Sequence, residues 1–135
     1  MTVTVPERNF DYPEFAFESG TSWQNGIQLL GYDIHNNSLT LHWQTQALLT
    51  QNLRLFVQVF DTEGQMVALT DSIPVNFQRP TTGWITEEII TSEHAFGQLD
   101  DADYRVLIGW YDPQTDARVG LIDRDSDALE LEYRP

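Results

Sequence analysis

Histidine, serine and carboxylate side chains are the groups in this chain that could support acid–base or nucleophilic chemistry. The three histidines, His35, His42 and His94, are widely separated and lie in polar or outward-facing contexts, which predicts solvated side chains. A nucleophilic triad brings a serine, a histidine and a carboxylate together, and the sequence has no Gly-x-Ser-x-Gly turn to present such a serine. Glycine motifs for phosphates or dinucleotides are missing too. The sequence therefore predicts a protein that is not an enzyme and uses no cofactor.

An alternating acidic run near the C-terminus, Asp123, Asp125 and Asp127, is the one weak candidate for a metal site. Calcium favours several carboxylate oxygens supplied by one short loop. The glycine and the distal glutamate of an EF-hand loop are missing, and Arg124 adds a competing positive charge. We therefore interpret the run as an acidic turn and expect weak or no calcium binding.

The tryptophans divide into two classes by their sequence context. Trp23 and Trp84 lie in segments with the composition of loops, and exposed tryptophans can stack on sugar rings, so these two are the candidate binding residues. Loop tryptophans can also close the open ends of a sandwich core, which is the alternative. Trp43 and Trp110 alternate with aliphatic residues and are predicted to be buried.

The best-patterned stretch, Leu53 to Ile73, predicts a β-hairpin around which the rest of the chain is built. Its first strand carries one purely aliphatic face, formed by Leu53, Leu55, Val57 and Val59. The turn at 61–64 ends in Gly64, which can adopt the positive φ that a short hairpin loop usually needs.

Short period-2 segments recur along the remainder of the chain with turn residues between them. The expected strands are an edge strand around Phe15 and Phe17, then Ile27–Ile34, Leu39–Gln44, Trp84–Thr91, Tyr104–Tyr111 and Leu129–Arg134, with a loop at Glu93–Asp103. This spacing predicts an all-β antiparallel sandwich of about eight or nine strands. Residues 1–12 are expected to be a lead-in or linker, and residues 13–135 a single domain. Tyr104 is placed like a tyrosine corner, and Arg105 and Arg118 are expected to pair with acidic residues.

Charge and composition exclude several classes of function. The chain has 135 residues, 21 acidic and 7 basic, for a net charge of −14, and every basic residue is arginine. Such a surface repels phosphate backbones and anionic lipid, so nucleic-acid and membrane-surface binding are disfavoured. The lack of cysteine removes disulfides, thiolate zinc sites and cysteine nucleophiles. No apolar run is long enough to span a membrane, and the first residues do not form a signal peptide. We therefore expect either a cytosolic protein or a domain of something larger.

An ordered set of short motifs runs through the middle and the end of the chain. Its members are Phe56-Val57-Gln58-Val59-Phe60-Asp61, Glu63-Gly64, Asp71 with Pro74, Pro80-Thr81-Thr82-Gly83-Trp84, Glu87-Glu88, and Tyr104-Arg105-Val106-Leu107-Ile108-Gly109-Trp110-Tyr111-Asp112 with Arg118. Over Leu30 to Tyr133 this order resembles the β-sandwich domain at the C-terminus of bacterial multi-spanning membrane glycosyltransferases of the protein-mannosyltransferase type. The chain departs from that pattern at Gln58, where the family often has histidine, and at Glu87 and Asp116, where it has glycine.

The resemblance implies an immunoglobulin-like accessory sandwich outside the cytoplasm, tethered to the membrane through a larger parent protein and without catalytic residues of its own. Its partners would be the membrane portion of the parent, or a glycan or protein partner. Two other functions compete with this one. The first is a glycan-binding module that uses loop aromatics and acids, and the second is a small hydrolase with two carboxylates in an acidic cleft.

Overall fold

The computed structural model describes residues 10–72, 81–122 and 125–135. Within these residues the chain forms eight strands and one short 3-10 helix, Thr81–Gly83. The strands are β1 (Phe17–Ser22), β2 (Ile27–His35), β3 (Ser38–Thr45), β4 (Arg54–Phe60), β5 (Met66–Ser72), β6 (Ile90–Ala95), β7 (Tyr104–Tyr111) and β8 (Leu129–Tyr133). Across the described ranges there is no helix with the length and apolar character needed to cross a membrane.

The strands form two antiparallel sheets of four. Sheet 1 has the order β1-β2-β3-β6, and sheet 2 has the order β5-β4-β7-β8. Sheet 2 matches the C′-C-F-G order of immunoglobulin-like sandwiches, and the adjacent β3 and β6 correspond to strands B and E. Strand β2 then takes the place of strand A, and β1 is an additional strand outside it. The predicted all-β, immunoglobulin-like sandwich of about eight or nine strands is confirmed.

The core lies between the inner faces of the two sheets. The aliphatic face predicted for the central hairpin is buried: Leu55, Val57 and Val59 have no exposed surface. Their register partners on β7 include Ile108 and Val106, which are equally buried. Strand β4 lies between β5 and β7, so the first strand of the predicted hairpin is central in sheet 2 and the second, β5, is at its edge. Period-2 patterning therefore places this hairpin correctly, because each strand buries one face and leaves the other partly solvated.

Turn chemistry fixes the register of sheet 1. Asn36 and Asn37 connect β2 to β3 with φ values of 51° and 59°, the left-handed conformation that a two-residue hairpin requires. The Asn37 N–H donates a hydrogen bond of 2.8 Å to Tyr133 Oη, and Tyr133 Oη donates one of 2.9 Å to Asn37 Oδ1. This turn therefore also joins sheet 1 to the last strand of sheet 2.

The tyrosine corner predicted at the start of β7 is present. The Tyr104 hydroxyl donates a hydrogen bond of 3.0 Å to the backbone carbonyl of Asp100, and the ring is buried among the core residues. This contact fixes the crossing from sheet 1 to sheet 2 that precedes β7.

One strand begins later than its apolar residues predict. The expected strand Trp84–Thr91 is instead β6, Ile90–Ala95, so part of the loop expected at Glu93–Asp103 belongs to a strand. Glu87 has a φ of 71°, which an extended strand does not allow. The segment between Trp84 and Ile90 is therefore irregular, and that boundary prediction was wrong.

The segment before β1 packs on the outer face of sheet 1. The Phe15 ring lies directly on Gly31 of β2: a Cβ at position 31 would be 2.2 Å from Phe15 Cδ2. The Ala16 N–H donates a hydrogen bond of 2.7 Å to Asp33 Oδ1. Glycine at position 31 therefore allows the N-terminal segment to lie close against the sheet.

Candidate functional site

The outer face of sheet 2 carries exposed apolar residues that packing of the core does not explain. Strand register defines it in rows: Leu69, Gln58, Leu107 and Glu130 form one row, and Met66, Phe60, Arg105 and Glu132 form the next. Leu69 is 53% exposed and Met66 is 49% exposed. Each row therefore runs from apolar residues at the β5 edge to acidic residues at the β8 edge.

Arginine side chains lie on the aromatic rings of this face. The guanidinium carbon of Arg118 is 4.4 Å from the centroid of the Phe56 ring, and that of Arg105 is 5.9 Å from the centroid of Phe60. Both distances are within the range of cation–π attraction. Arg105 Nη1 is 3.1 Å from Glu130 Oε1. Arg118 Nη1 lies 3.5 Å from Asp127 Oδ1, so the expected pairing of both arginines with acids is confirmed.

A shallow groove of about 300 Å³ crosses the same face near the β4–β7 pair. Phe56 forms its floor, and Gly109 on the neighbouring strand makes room for that ring, because a Cβ there would be 2.4 Å from Phe56 Cζ. Leu69, Tyr111 and Arg118 are among the residues that line it. The groove combines an apolar floor with a guanidinium, which suits a protein or peptide surface of mixed character.

A second cleft, of about 470 Å³, opens at the end of sheet 2 beside the hairpin turn. Carboxylates from Asp61, Asp103 and Glu132 line it together with the guanidiniums of Arg105 and Arg134. Arg134 Nη1 is 3.5 Å from Asp103 Oδ1, and both side chains are largely exposed. This cleft offers hydrogen-bond donors and acceptors to a polar ligand.

The candidate binding residues Trp23 and Trp84 are buried. Neither indole has more than 1% of its surface exposed. Trp23 packs on Trp43 with ring centroids 5.4 Å apart, Trp43 on Trp110 at 5.0 Å, and Trp84 on Trp110 at 5.6 Å. The four tryptophans thus form one chain of contacts through the core. This corrects the expectation of exposed binding platforms and agrees with the alternative that these residues close the ends of the core.

His94 lies in a polar network inside the sandwich, and the prediction that it is solvated was wrong. Its Nε2 is 3.0 Å from Ser92 Oγ, and its Nδ1 is 2.9 Å from Thr70 Oγ1 on β5. Trp43 Nε1 donates a hydrogen bond of 3.0 Å to the same serine oxygen. Burial lowers the pKa of His94 to about 4, so the imidazole is neutral near pH 7. The network links the two sheets.

The Ser92–His94 pair has the side-chain types of nucleophilic catalysis but lies in the wrong place for it. Both residues are 4% exposed or less, between the sheets. A nucleophile must reach a substrate carbonyl, and these hydroxyl and imidazole groups face the interior. Their hydrogen bonds satisfy one another and the Trp43 indole, which is a structural role.

His42 is also buried, on the outer side of sheet 1 under the N-terminal segment. Its Nδ1 is 3.0 Å from Thr91 Oγ1, and its Nε2 is 3.6 Å from Asp33 Oδ2. The Phe15 ring is tilted over the imidazole with centroids 5.8 Å apart. His42 therefore supports the packing of that segment on β2 and β3, and of the three histidines His35 alone is exposed.

The acidic run near the C-terminus is only partly described. Asp123 and Arg124 lie outside the described residues, Asp125 is exposed, and Asp127 is close to Arg118. Among the described residues no group of three or more histidine, cysteine or acidic side chains could hold a metal ion.

Sequence reasoning missed the outer face of sheet 2 as a candidate site. The alternation that identified the buried face of β4 also placed Phe56 and Phe60 on its opposite face. Two aromatic residues on that face were the signal that could have indicated the site. The position of Arg118 above Phe56 depends on the bridge between Tyr111 and Arg118, which no local pattern in the sequence indicates.

Comparisons with known proteins do not identify the chain. No protein-family model matches it, and no curated protein matches it either. The resemblance to the accessory domain of protein-mannosyltransferase-type enzymes therefore stays a prediction based on the ordered motifs.

Proposed function

We propose that the chain is a non-catalytic accessory domain through which a larger, membrane-associated protein of the glycosyltransferase type makes contacts outside the cytoplasm. The supporting observation is the outer face of sheet 2, where Leu69, Phe60 and Leu107 lie among paired charges. Such a mixture of partly exposed apolar groups and satisfied charges is typical of protein–protein interfaces. The ordered motifs of the sequence favour the membrane-bound parent.

The buried histidines, the buried serine beside His94 and the tryptophans have packing roles in this structure. Ser92 and His94 satisfy each other in the interior, and His42 supports the N-terminal segment. The four tryptophans form the core. These roles agree with a domain whose parent performs its chemistry elsewhere.

Site-specific photo-crosslinking in the cells that produce the protein tests this function. A photoreactive amino acid at Leu107, on the outer face of sheet 2, should form adducts with membrane proteins. The same amino acid at Glu93, exposed on the outer face of sheet 1, should give few adducts. Protease added to spheroplasts should cleave the domain. Recovery of the protein in the cytosolic fraction, protected from protease, would contradict the proposal.

The cleft at the end of sheet 2 supports a glycan-binding module as a second candidate function. Carboxylates and guanidiniums there could bind sugar hydroxyls, although the two tryptophans expected to stack on the sugar are buried. Titration calorimetry with a panel of neutral and acidic oligosaccharides would measure this binding. A Glu132→Gln variant should lose it and a Glu93→Gln variant should keep it, whereas no heat with any sugar would reject this candidate.

A further inference from the structure

If the domain makes contacts through the outer face of sheet 2, as proposed above, the chemistry of that face also indicates what it binds. We infer that this face binds a second copy of the chain, in a symmetric dimer held by the rows that contain Leu69, Gln58, Leu107 and Phe60. Three observations carry this assignment, and they concern charge, apolar exposure and the position of the arginines.

Charge is distributed unevenly over the molecule. The four arginines of the described residues lie on sheet 2 (Arg54 and Arg105), in the connection between β7 and β8 (Arg118), or directly after β8 (Arg134). Within the described ranges, Arg105, Arg118 and Arg134 pair with Glu130, Asp127 and Asp103, which lie on β8 or in the segments just before β8 and β7. Sheet 2 is therefore close to electrically balanced at its outer face, on a chain whose net charge is −14.

That balance distinguishes between possible partners. A basic partner would be attracted to any acidic part of this surface and would not need the arginines. A strongly acidic partner would be repelled by the chain as a whole. A second copy is acidic overall but balanced at this face, so the electrostatic repulsion between two copies is weak where these faces meet. A two-fold interface uses the same patch twice, and a patch with both signs of charge can be complementary to itself.

The apolar residues supply the attractive part of such an interface. Leu69, Met66 and Val67 on β5 are each more than 40% exposed, and register places Leu69 in one row with Leu107 across Gln58. Strand β5 is also an edge strand of sheet 2. Exposed apolar side chains at a sheet edge are a liability unless a partner covers them, and a second copy would cover them.

Arginine placement gives the interface its specificity. Arg105 lies between the Phe60 ring and Glu130, and Arg118 lies over Phe56 near Asp127. Each guanidinium carries five donors, and Nη1 of each donates to its own acid partner, so both arginines can also donate to carboxylates of the other copy.

Sedimentation equilibrium of the chain over a concentration series tests the inference at about 0.15 M salt, where screening limits long-range repulsion to about 8 Å. We expect a monomer–dimer equilibrium. Leu69→Glu should raise the dissociation constant by about tenfold or more, equivalent to about 1.4 kcal/mol. Phe17→Glu is the matched control, because Phe17 is similarly exposed but lies on sheet 1; it should change the constant less than twofold.

A charge swap keeps the test informative if Leu69→Glu perturbs folding. Arg105→Glu should weaken the dimer, and the double variant Arg105→Glu with Glu130→Arg should restore it, because the swap returns both signs of charge to the face. The inference would be overturned if the chain stayed monomeric at every concentration. It would also be overturned if Phe17→Glu raised the dimer dissociation constant as much as Leu69→Glu.

The outcome also separates this inference from the proposed function. A monomeric chain that crosslinks through Leu107 to a different membrane protein rejects the second copy and leaves the accessory-domain function standing. A dimeric chain found in the cytosol supports the second copy and rejects the membrane-associated function.

Discussion

His94 is a buried base whose protonation opposes folding. With both nitrogens protonated, His94 Nε2 and Trp43 Nε1 would both donate to Ser92 Oγ, and the serine hydrogen would lose its acceptor. The folded pKa of about 4 lies below the unfolded value of 6.5. The unfolded chain therefore binds this proton first as pH falls, and the stabilising contribution is complete above about pH 6.5 and is lost towards about pH 4.

We expect the free energy of unfolding to fall by about 3 kcal/mol from this group alone between those pH values. Urea unfolding at a series of pH values measures it. In the His94→Gln variant the free energy of unfolding should depend much less on pH in this range. In His35→Gln it should depend on pH as in the natural chain, because His35 is exposed. Equal slopes for all three proteins would show that His94 is not the responsible group.

Trp43 is the residue whose loss should cost most. It has no exposed surface, contacts Trp23 and Trp110, and donates to Ser92. Trp43→Ala should lower the free energy of unfolding by about 3–5 kcal/mol. Phe17→Ala, at a side chain that is 47% exposed, should cost under about 1 kcal/mol. Similar denaturant midpoints for both variants would mean that Trp43 is not part of a tight core.

At the scale of elements, the contact between Gly31 and Phe15 decides how the N-terminal segment meets sheet 1. An alanine at position 31 would place its Cβ inside the Phe15 ring, so Gly31→Ala should destabilise the fold by about 1–3 kcal/mol. In a Phe15→Ala background the same substitution should be nearly neutral, because the obstructing ring is gone. Urea midpoints of the four proteins give the coupling energy.

Gly83→Ala is the control for this double-mutant cycle of Gly31→Ala and Phe15→Ala. A Cβ at position 83 meets nothing within 4 Å, and its φ is not positive. It should leave stability within about 0.5 kcal/mol of the natural chain. Additive effects of Gly31→Ala and Phe15→Ala would mean that the segment is not held at this position.

The strands that could be predicted are those whose buried residues are apolar. Strands β3, β4 and β7 place Leu, Val, Ile or Trp at every second position, and the positions of these strands were predicted within two residues. Strand β6 buries Ser92 and His94 instead. Their burial is possible because they bond to each other, to Trp43 and to Thr70, and such pairing across strands has no signature in the local sequence.

The candidate site could be predicted less well than the fold. Alternation shows that Phe56 and Phe60 point away from the core, but it does not show that arginines lie over both rings. Composition likewise shows that Trp23 lies in a connection between strands. It does not show that an isolated bridge to Leu121 holds Trp23 against the core. Contacts between distant segments decide both features.

At the scale of the whole molecule, net charge should make stability depend on salt. A charge of −14 on 135 residues produces self-repulsion in the compact state. The exposed ion pairs, Arg105–Glu130, Arg118–Asp127 and Arg134–Asp103, are each worth only about 0–1 kcal/mol. The urea midpoint should therefore rise between about 20 mM and about 200 mM NaCl as repulsion is screened. A midpoint that falls with salt would mean that the ion pairs outweigh the repulsion.

The chain of four tryptophans also has an optical consequence. Indoles with centroids 5.0 to 5.6 Å apart are close enough for their excited states to couple and for excitation to pass between them. Trp43 belongs to sheet 1 and Trp110 to sheet 2, so the coupling between these two indoles exists only while the sheets are packed together. Circular dichroism in the indole bands and the polarisation of tryptophan emission would thus follow the separation of the two sheets directly, without an added dye.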